Sequence, residues 1–308
     1  MTIDDRGDDV ETADIYRTPQ GRRIVEEAYE DLLGRWPIPA ERRSVPTRLG
    51  DTFVMTGGTP DGPPLVLLHG AGTNTAMWMP DVQVWAEHFR VYAIDVVGEA
   101  GHSAPARPPL ESDAYAGWLD DVFDALQLSR VSLVGASLGG WLALDYATRR
   151  PARVARLVAI CPGGLGRQKM GWLLPVLLLR PWGTWGMRRA LTVITGLGGP
   201  EARPFLDYMG VIQRHFHPRK DRLPAFPDTA LAALAMPVLV IVGDRDVMLD
   251  SLETARRVAQ AIPHARVDVL PGVGHSIVGQ TESISRFLTA EIRDTGGHGT
   301  TAAPTRPQ

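Results

Sequence analysis

The chain has 308 residues and is 44% hydrophobic, enough for one large α/β domain or two small ones with a sizeable core. Its 32 Lys and Arg against 35 Asp and Glu give a formal net charge of -3 and no basic stripe, which argues against nucleic acid as a partner. Cys161 is the only cysteine, which excludes an intramolecular disulfide and a Cys-x-x-Cys metal site and fits a reducing cytoplasm.

The acidic start MTIDDRGDDVE lacks the basic-then-apolar order of a signal peptide, and residues 1–13 are expected to be disordered. SVPTRL and TFVMTG then predict a hairpin at a sheet edge. The runs PLVLLH (64–69), RVYAID (90–95), RVSLVG (130–135) and RVARLVAI (153–160) predict strands buried on both faces, as do PVLVIVG (237–243) and ARVDVL (265–270). Helical spacing recurs between or after them at 111–128, 138–150, 251–262 and 283–292. The alternation predicts an α/β fold, with a mostly parallel central sheet flanked by helices and right-handed crossovers. Residues 162–235 break it: they carry no strand-like run and are dense in Trp, Leu, Met, Pro and Gly. They are expected to form a helical cap inserted after the sixth strand, above a pocket at the strands' carboxyl ends. The core would then comprise residues 14–161 and 236–294, followed by a disordered tail, 295–308. No apolar stretch approaches the roughly 20 residues of a membrane span.

The sharpest motif is VGASLGG (134–140), a Gly-x-Ser-x-Gly between a predicted strand and a predicted helix. A serine on that turn is pushed out of the sheet, and the glycines let strand and helix approach without a Cβ clash. The amide of Leu138, at the helix N-terminus, can face a developing oxyanion. LLHGAGTN (67–74) follows an earlier strand, and its His69-Gly70-Ala71-Gly72 lends the second oxyanion donor, the N–H of Ala71. His69 is read as structural. A dinucleotide fingerprint fails here, because the third glycine is missing.

Gly-His-Ser occurs twice, at 101–103 and 274–276. His275 follows the last strand and fits the chain order serine, acid, histidine, so it is the expected base. His102 is expected to border the pocket without an acid to orient it. His88, His215, His217, His264 and His298 are read as surface or packing residues. Three aspartates crowd VGDRDVMLD (242–250). A calcium loop is excluded, since Met248 interrupts the acidic series and Leu249 stands where a glycine is required. Asp246 is assigned as the acid for His275, Asp244 as a turn residue bonding local N–H groups, and Asp250 as a helix N-cap with Glu253 in capping-box position.

With these residues placed, the chain from about Tyr16 to Ile292 resembles the α/β-hydrolase superfamily. Within it the chain looks most like bacterial carboxylesterases of the naproxen-esterase type, on VPTRLGDTFVMTGG, on WLDDVFDALQL, and on IDVVGEAGHS in place of the commoner Asp-x-x-Gly-x-Gly-x-Ser turn. The resemblance implies a carboxylesterase-like serine hydrolase that forms an acyl-enzyme without metal or cofactor. A small hydrophobic ester-like substrate is expected, contacted by Gly70, Trp172 and Trp182. Carbon-carbon bond hydrolases, thioesterases and non-catalytic receptors of this fold stay open as alternatives, as does a homodimer. The apolar stretch 172–187 is read as a cap lining a hydrophobic pocket rather than a lipid-docking surface, because Pro175 and Pro181 interrupt any long helix. Cys161 is read as a small buried apolar residue.

Overall fold

The computed structural model describes residues 14–290; the two tails expected to be disordered, and residues 291–294, lie outside the described residues. Eight strands form one sheet: β1 (Ala40–Val45), β2 (Thr52–Gly58), β3 (Pro64–Leu68), β4 (Arg90–Ile94), β5 (Val131–Ala136), β6 (Val154–Ile160), β7 (Val238–Gly243) and β8 (Arg266–Leu270). Their spatial order is β1-β2-β4-β3-β5-β6-β7-β8. β2 pairs antiparallel with β1 and β4, and all other pairings are parallel. β3 therefore lies between β4 and β5, and the connections leave in opposite directions from this point. Such a reversal opens a crevice at the strands' carboxyl ends.

The inner strands are buried on both faces, which explains their unbroken apolar runs. Val66 and Leu68 pack toward α3 (Ala114–Ala125), α4 (Leu138–Arg149) and α9 (Ser251–Ala261), in a core that includes Trp118, Leu142 and Val258. Leu65 and Leu67 point the other way, into a core with Tyr29 and Leu33 of α1 (Pro19–Leu33), Trp85 of α2 (Met79–Trp85), and Ile284 and Leu288 of α10 (Thr281–Thr289). The alternation along one strand supplies both layers.

The expected edge hairpin is present, with TFVMTG in β2, but its first strand lies earlier in the chain. β1 is AERRSV rather than SVPTRL, and five of its six residues are exposed. Pro46 has no N–H for a ladder and stands just past the strand's end. α1 is absent from the elements expected from sequence, although Thr18 caps it through Gly21 N–H and Pro19 opens it. Its buried Val25, Tyr29 and Leu33 recur at four-residue spacing.

Between β6 and β7 come α5 (Leu173–Leu179), α6 (Gly183–Thr195), α7 (Arg203–His215) and α8 (Asp228–Ala232). α7 packs on α6 and reaches α1. α5 buries none of its seven residues. Among the described residues, no helix is long and apolar enough to cross a membrane.

Candidate active site

Ser137 joins β5 to α4 with φ 51° and ψ −108°, outside the ordinary basins of an L-residue. Such a conformation costs on the order of 1–3 kcal/mol and persists only where the surroundings over-determine it. Here the backbone is locked on every side. Ser137 N–H donates to the Ile160 carbonyl at 2.8 Å. A Cβ on Gly135 would sit 2.1 Å from the Gly139 carbonyl oxygen, and one on Gly139 would sit 2.0 Å from that of Leu68. Only glycine fits either position, so the motif's spacing follows from contact between strand and helix backbones.

The loops after β7 and β8 bring the other two residues to this turn. Asp246 Oδ2 lies 2.7 Å from His275 Nδ1, and His275 Nε2 lies 3.0 Å from Ser137 Oγ. Asp246 is buried, and its Oδ1 accepts from the N–H groups of Met248 at 2.7 Å and Leu249 at 3.0 Å. Burial alone would raise this carboxyl. The hydrogen bond to His275, the attraction of that ring and the two N–H donors together hold it below the usual carboxylate range. An ionised Asp246 fixes the proton on His275 Nδ1, leaving the Nε2 lone pair toward Ser137.

The loop after β3 lies against the same serine. A Cβ on Gly70 would sit 3.5 Å from Ser137 Cβ. The N–H groups of Ala71 and Leu138 have no acceptor among the described residues. His69 is fully buried: its Nε2 accepts from Val96 N–H at 2.8 Å, which leaves Nδ1 as the donor to the Gly70 carbonyl at 2.9 Å. It ties the β3 loop to the β4 loop, as a structural residue should.

The three aspartates of 242–250 separate onto three partners. Asp244 accepts from Gly272 N–H at 2.7 Å, so it joins the β7 loop to the distant loop that carries His275 rather than bonding locally. Asp250 caps α9 through Glu253 N–H at 3.1 Å. The reciprocal half of the capping box is not made, because Glu253 accepts from Arg167 N–H and Asp250 N–H donates to the Arg167 carbonyl. His102 has an acid nearby, since its Nε2 lies 2.8 Å from Glu30 Oε1, but the pair lacks hydrogen-bond geometry and the ring stacks on Tyr29 instead. That partner sits on α1, the helix sequence reading missed.

Trp172 lines a cleft of about 420 Å³ together with Lys169, Gly171, Pro175, Val193, Asp246 and Val247, which includes neither Ser137 nor His275. Trp182 does not join it. α5 ends after two turns and Pro181 redirects the chain, so Trp182 emerges exposed, edge-on to Trp185. A larger depression of about 560 Å³ is lined by charged residues of α1 and His102 and includes none of Ser137, Asp246 and His275. Cys161 is buried, and burial and the Asp246 carboxylate push its thiol far up, leaving no thiolate at neutral pH.

Two buried acids behind the loops were not singled out from sequence. Asp95 accepts from Tyr29 OH and from the N–H groups of Thr75 and His102, holding the β4 turn to α1 and to the β3 loop. Glu99 Oε2 accepts from Gly72 N–H at 2.6 Å, next to the Ala71 amide, while its Oε1 is buried without a partner. Burial raises the Glu99 carboxyl, against the pull of Gly72 N–H, Arg107 and Arg219. Their position in IDVVGEAGHS, just past a strand, was the available signal.

The alpha/beta hydrolase family profile matches residues 65–284. Carboxylesterase YbfK of Bacillus subtilis is 31% identical over 259 residues, covering 81% of this chain and 86% of its own. The crystal structure of that carboxylesterase superposes with a TM-score of 0.77 at 30% identity, over 89% of this chain and 100% of its own. The naproxen esterase structure, also from Bacillus subtilis, gives 0.77 at 26% identity, over 88% and 99%. The resemblance read from the motifs is borne out: the chain belongs to the alpha/beta hydrolase family, with similar relatives among bacterial carboxylesterases.

Proposed function

We propose that this chain hydrolyses carboxylic esters of small hydrophobic molecules through an acyl-enzyme on Ser137. The observation that carries the proposal is the continuous chain Asp246 Oδ2, His275 Nδ1, His275 Nε2, Ser137 Oγ, at 2.7 and 3.0 Å. His275 Nε2 takes the Ser137 proton as Oγ attacks the ester carbonyl, and Asp246 stabilises the imidazolium that forms. The amides of Ala71 and Leu138 hold the oxyanion. The imidazolium then protonates the departing alkoxide, and the acyl group stays on Ser137. Water, deprotonated by His275, attacks the acyl carbon and releases the acid; the proton returns to Ser137 Oγ.

No step needs a metal or redox group. Residues 162–235 act as the cap in this reading, and their Trp172, Pro175 and Val193 give the cleft behind Asp246 an apolar wall, although Ser137 and His275 do not line that cleft. Replacing Ser137 by Ala should lower turnover of a p-nitrophenyl ester by about 10⁶-fold with the fold intact. Near-parental turnover in the purified variant would refute the reading. The same triad could serve carbon-carbon bond cleavage, and 2-hydroxymuconate semialdehyde hydrolase of Pseudomonas is 32% identical over 256 residues. A panel of esters, thioesters and carbon-carbon diketones separates the two.

A further inference from the structure

The stretch 172–187 was expected to line a pocket, yet most of its large apolar side chains face solvent. Leu173, Leu174, Leu177 and Leu178 stand at positions that share one face of α5, and they, Trp182 and Trp185 are between 41% and 67% exposed. α5 packs on α6, so the leucines and the two tryptophans form one patch. Isolated exposed leucines need no explanation, but a contiguous patch of this kind marks an interaction surface.

The charges around it identify the partner. Residues 165–200 contain five basic residues, Arg167, Lys169, Arg180, Arg188 and Arg189, and no acidic one, in a chain whose net charge is -3. Arg189 stacks on Trp185 with its guanidinium carbon 5.6 Å from the ring centroid and has no carboxylate partner among the described residues. Asp207 of α7 pairs with Arg188 and Asp250 with Arg167, while Lys169 donates to the Asp246 carbonyl, so Arg189 is the cation that stands beside the exposed tryptophans. A second copy docking through the same face would set like charges against one another. An anionic lipid surface meets both requirements: an apolar layer for leucines, an interfacial zone suited to tryptophan, and negative headgroups for the arginines.

We propose that the α5–α6 face docks this protein peripherally onto anionic lipid surfaces, with the leucines of α5 inserted and the arginines at the headgroups. Pro175 and Trp172, on the inner side of the same segment, line the cleft at Asp246, so docking sets that cleft beside the lipid. The docking does not depend on chemistry at Ser137, and Ser137→Ala should dock like the parent.

Flotation of the full chain with phosphatidylcholine vesicles, with and without about 30 mol% phosphatidylglycerol, tests the proposal. The expected result is about tenfold more protein bound to the anionic vesicles, with a loss of similar size in the Leu177→Glu/Leu178→Glu variant. That variant should keep the parental melting temperature and rate on a soluble p-nitrophenyl ester. Protein left unbound by anionic vesicles, or equal binding of parent and variant, would overturn it. So would sedimentation showing a dimer of the parent that the variant breaks, which would assign the face to a second copy.

Discussion

Two apolar runs of similar length meet opposite fates in this molecule. VLVIVG, the β7 strand, is buried at every residue, whereas LLPVLLL, the α5 helix, is buried at none. Hydrophobicity does not separate them; their neighbours do. β7 lies between β6 and β8 with layers above and below, so each of its side chains finds a partner. α5 is a short helix outside those layers, and only its inner side meets the rest of the chain. Apolar content therefore locates the core only where the topology encloses it.

A charge placed in each run should separate them most sharply. Val240→Asp, at a fully buried position, should cost more than about 4–5 kcal/mol and yield little folded protein. Leu174→Asp should change stability by less than about 0.5 kcal/mol. Thermal melts of both variants decide it; a large loss at Leu174 would mean that α5 is covered.

The next effect separates catalysis from stability within the β7 loop. Asp246→Asn should lower kcat by about 10⁴-fold with little change in melting temperature, because the amide cannot hold His275 in the required tautomer. Asp244→Ala should instead cost about 1 kcal/mol, by removing the acceptor of Gly272 N–H, and leave kcat within a few-fold. A crippled Asp244→Ala enzyme with an intact fold would make Asp244, not Asp246, the acid.

The smallest effect concerns Glu99. Its folded carboxyl titrates above the unfolded range of about 4, so the folded state holds its proton more tightly. Its stabilising influence is complete below that range and is lost as pH rises toward the folded value. Glu99→Gln keeps an acceptor for Gly72 N–H without the buried charge, so it should melt higher than the parent at pH 7, with the gap closing as pH falls toward 4. A gap that widens on acidification would contradict this sign.

The inner strands and the grouping of Ser137, His275 and Asp246 were legible because each follows from a local rule: apolar runs, glycines forced by backbone contact, and a fixed chain order. α1 was legible in principle through Thr18, Pro19 and the Val25, Tyr29, Leu33 spacing, but the charged residues around them (Arg22, Arg23, Glu26, Glu27, Glu30 and Asp31) mask that stripe. β1 was misplaced because an exposed edge strand carrying Glu41, Arg42 and Arg43 shows no buried alternation. The partner of His102 followed α1 out of view. Trp182 and the leucines of α5 were misread because sequence shows which residues are apolar, not what covers them.

In the proposed reaction Ser137 is a nucleophile activated by His275, whose ring Asp246 orients. Treating the folded protein with a fluorophosphonate and locating the adduct by peptide mass spectrometry tests it most directly. One adduct is expected, on Ser137, formed rapidly in the parent and far more slowly in His275→Ala. Folded protein that leaves Ser137 unmodified, or that reacts equally fast without His275, would contradict it.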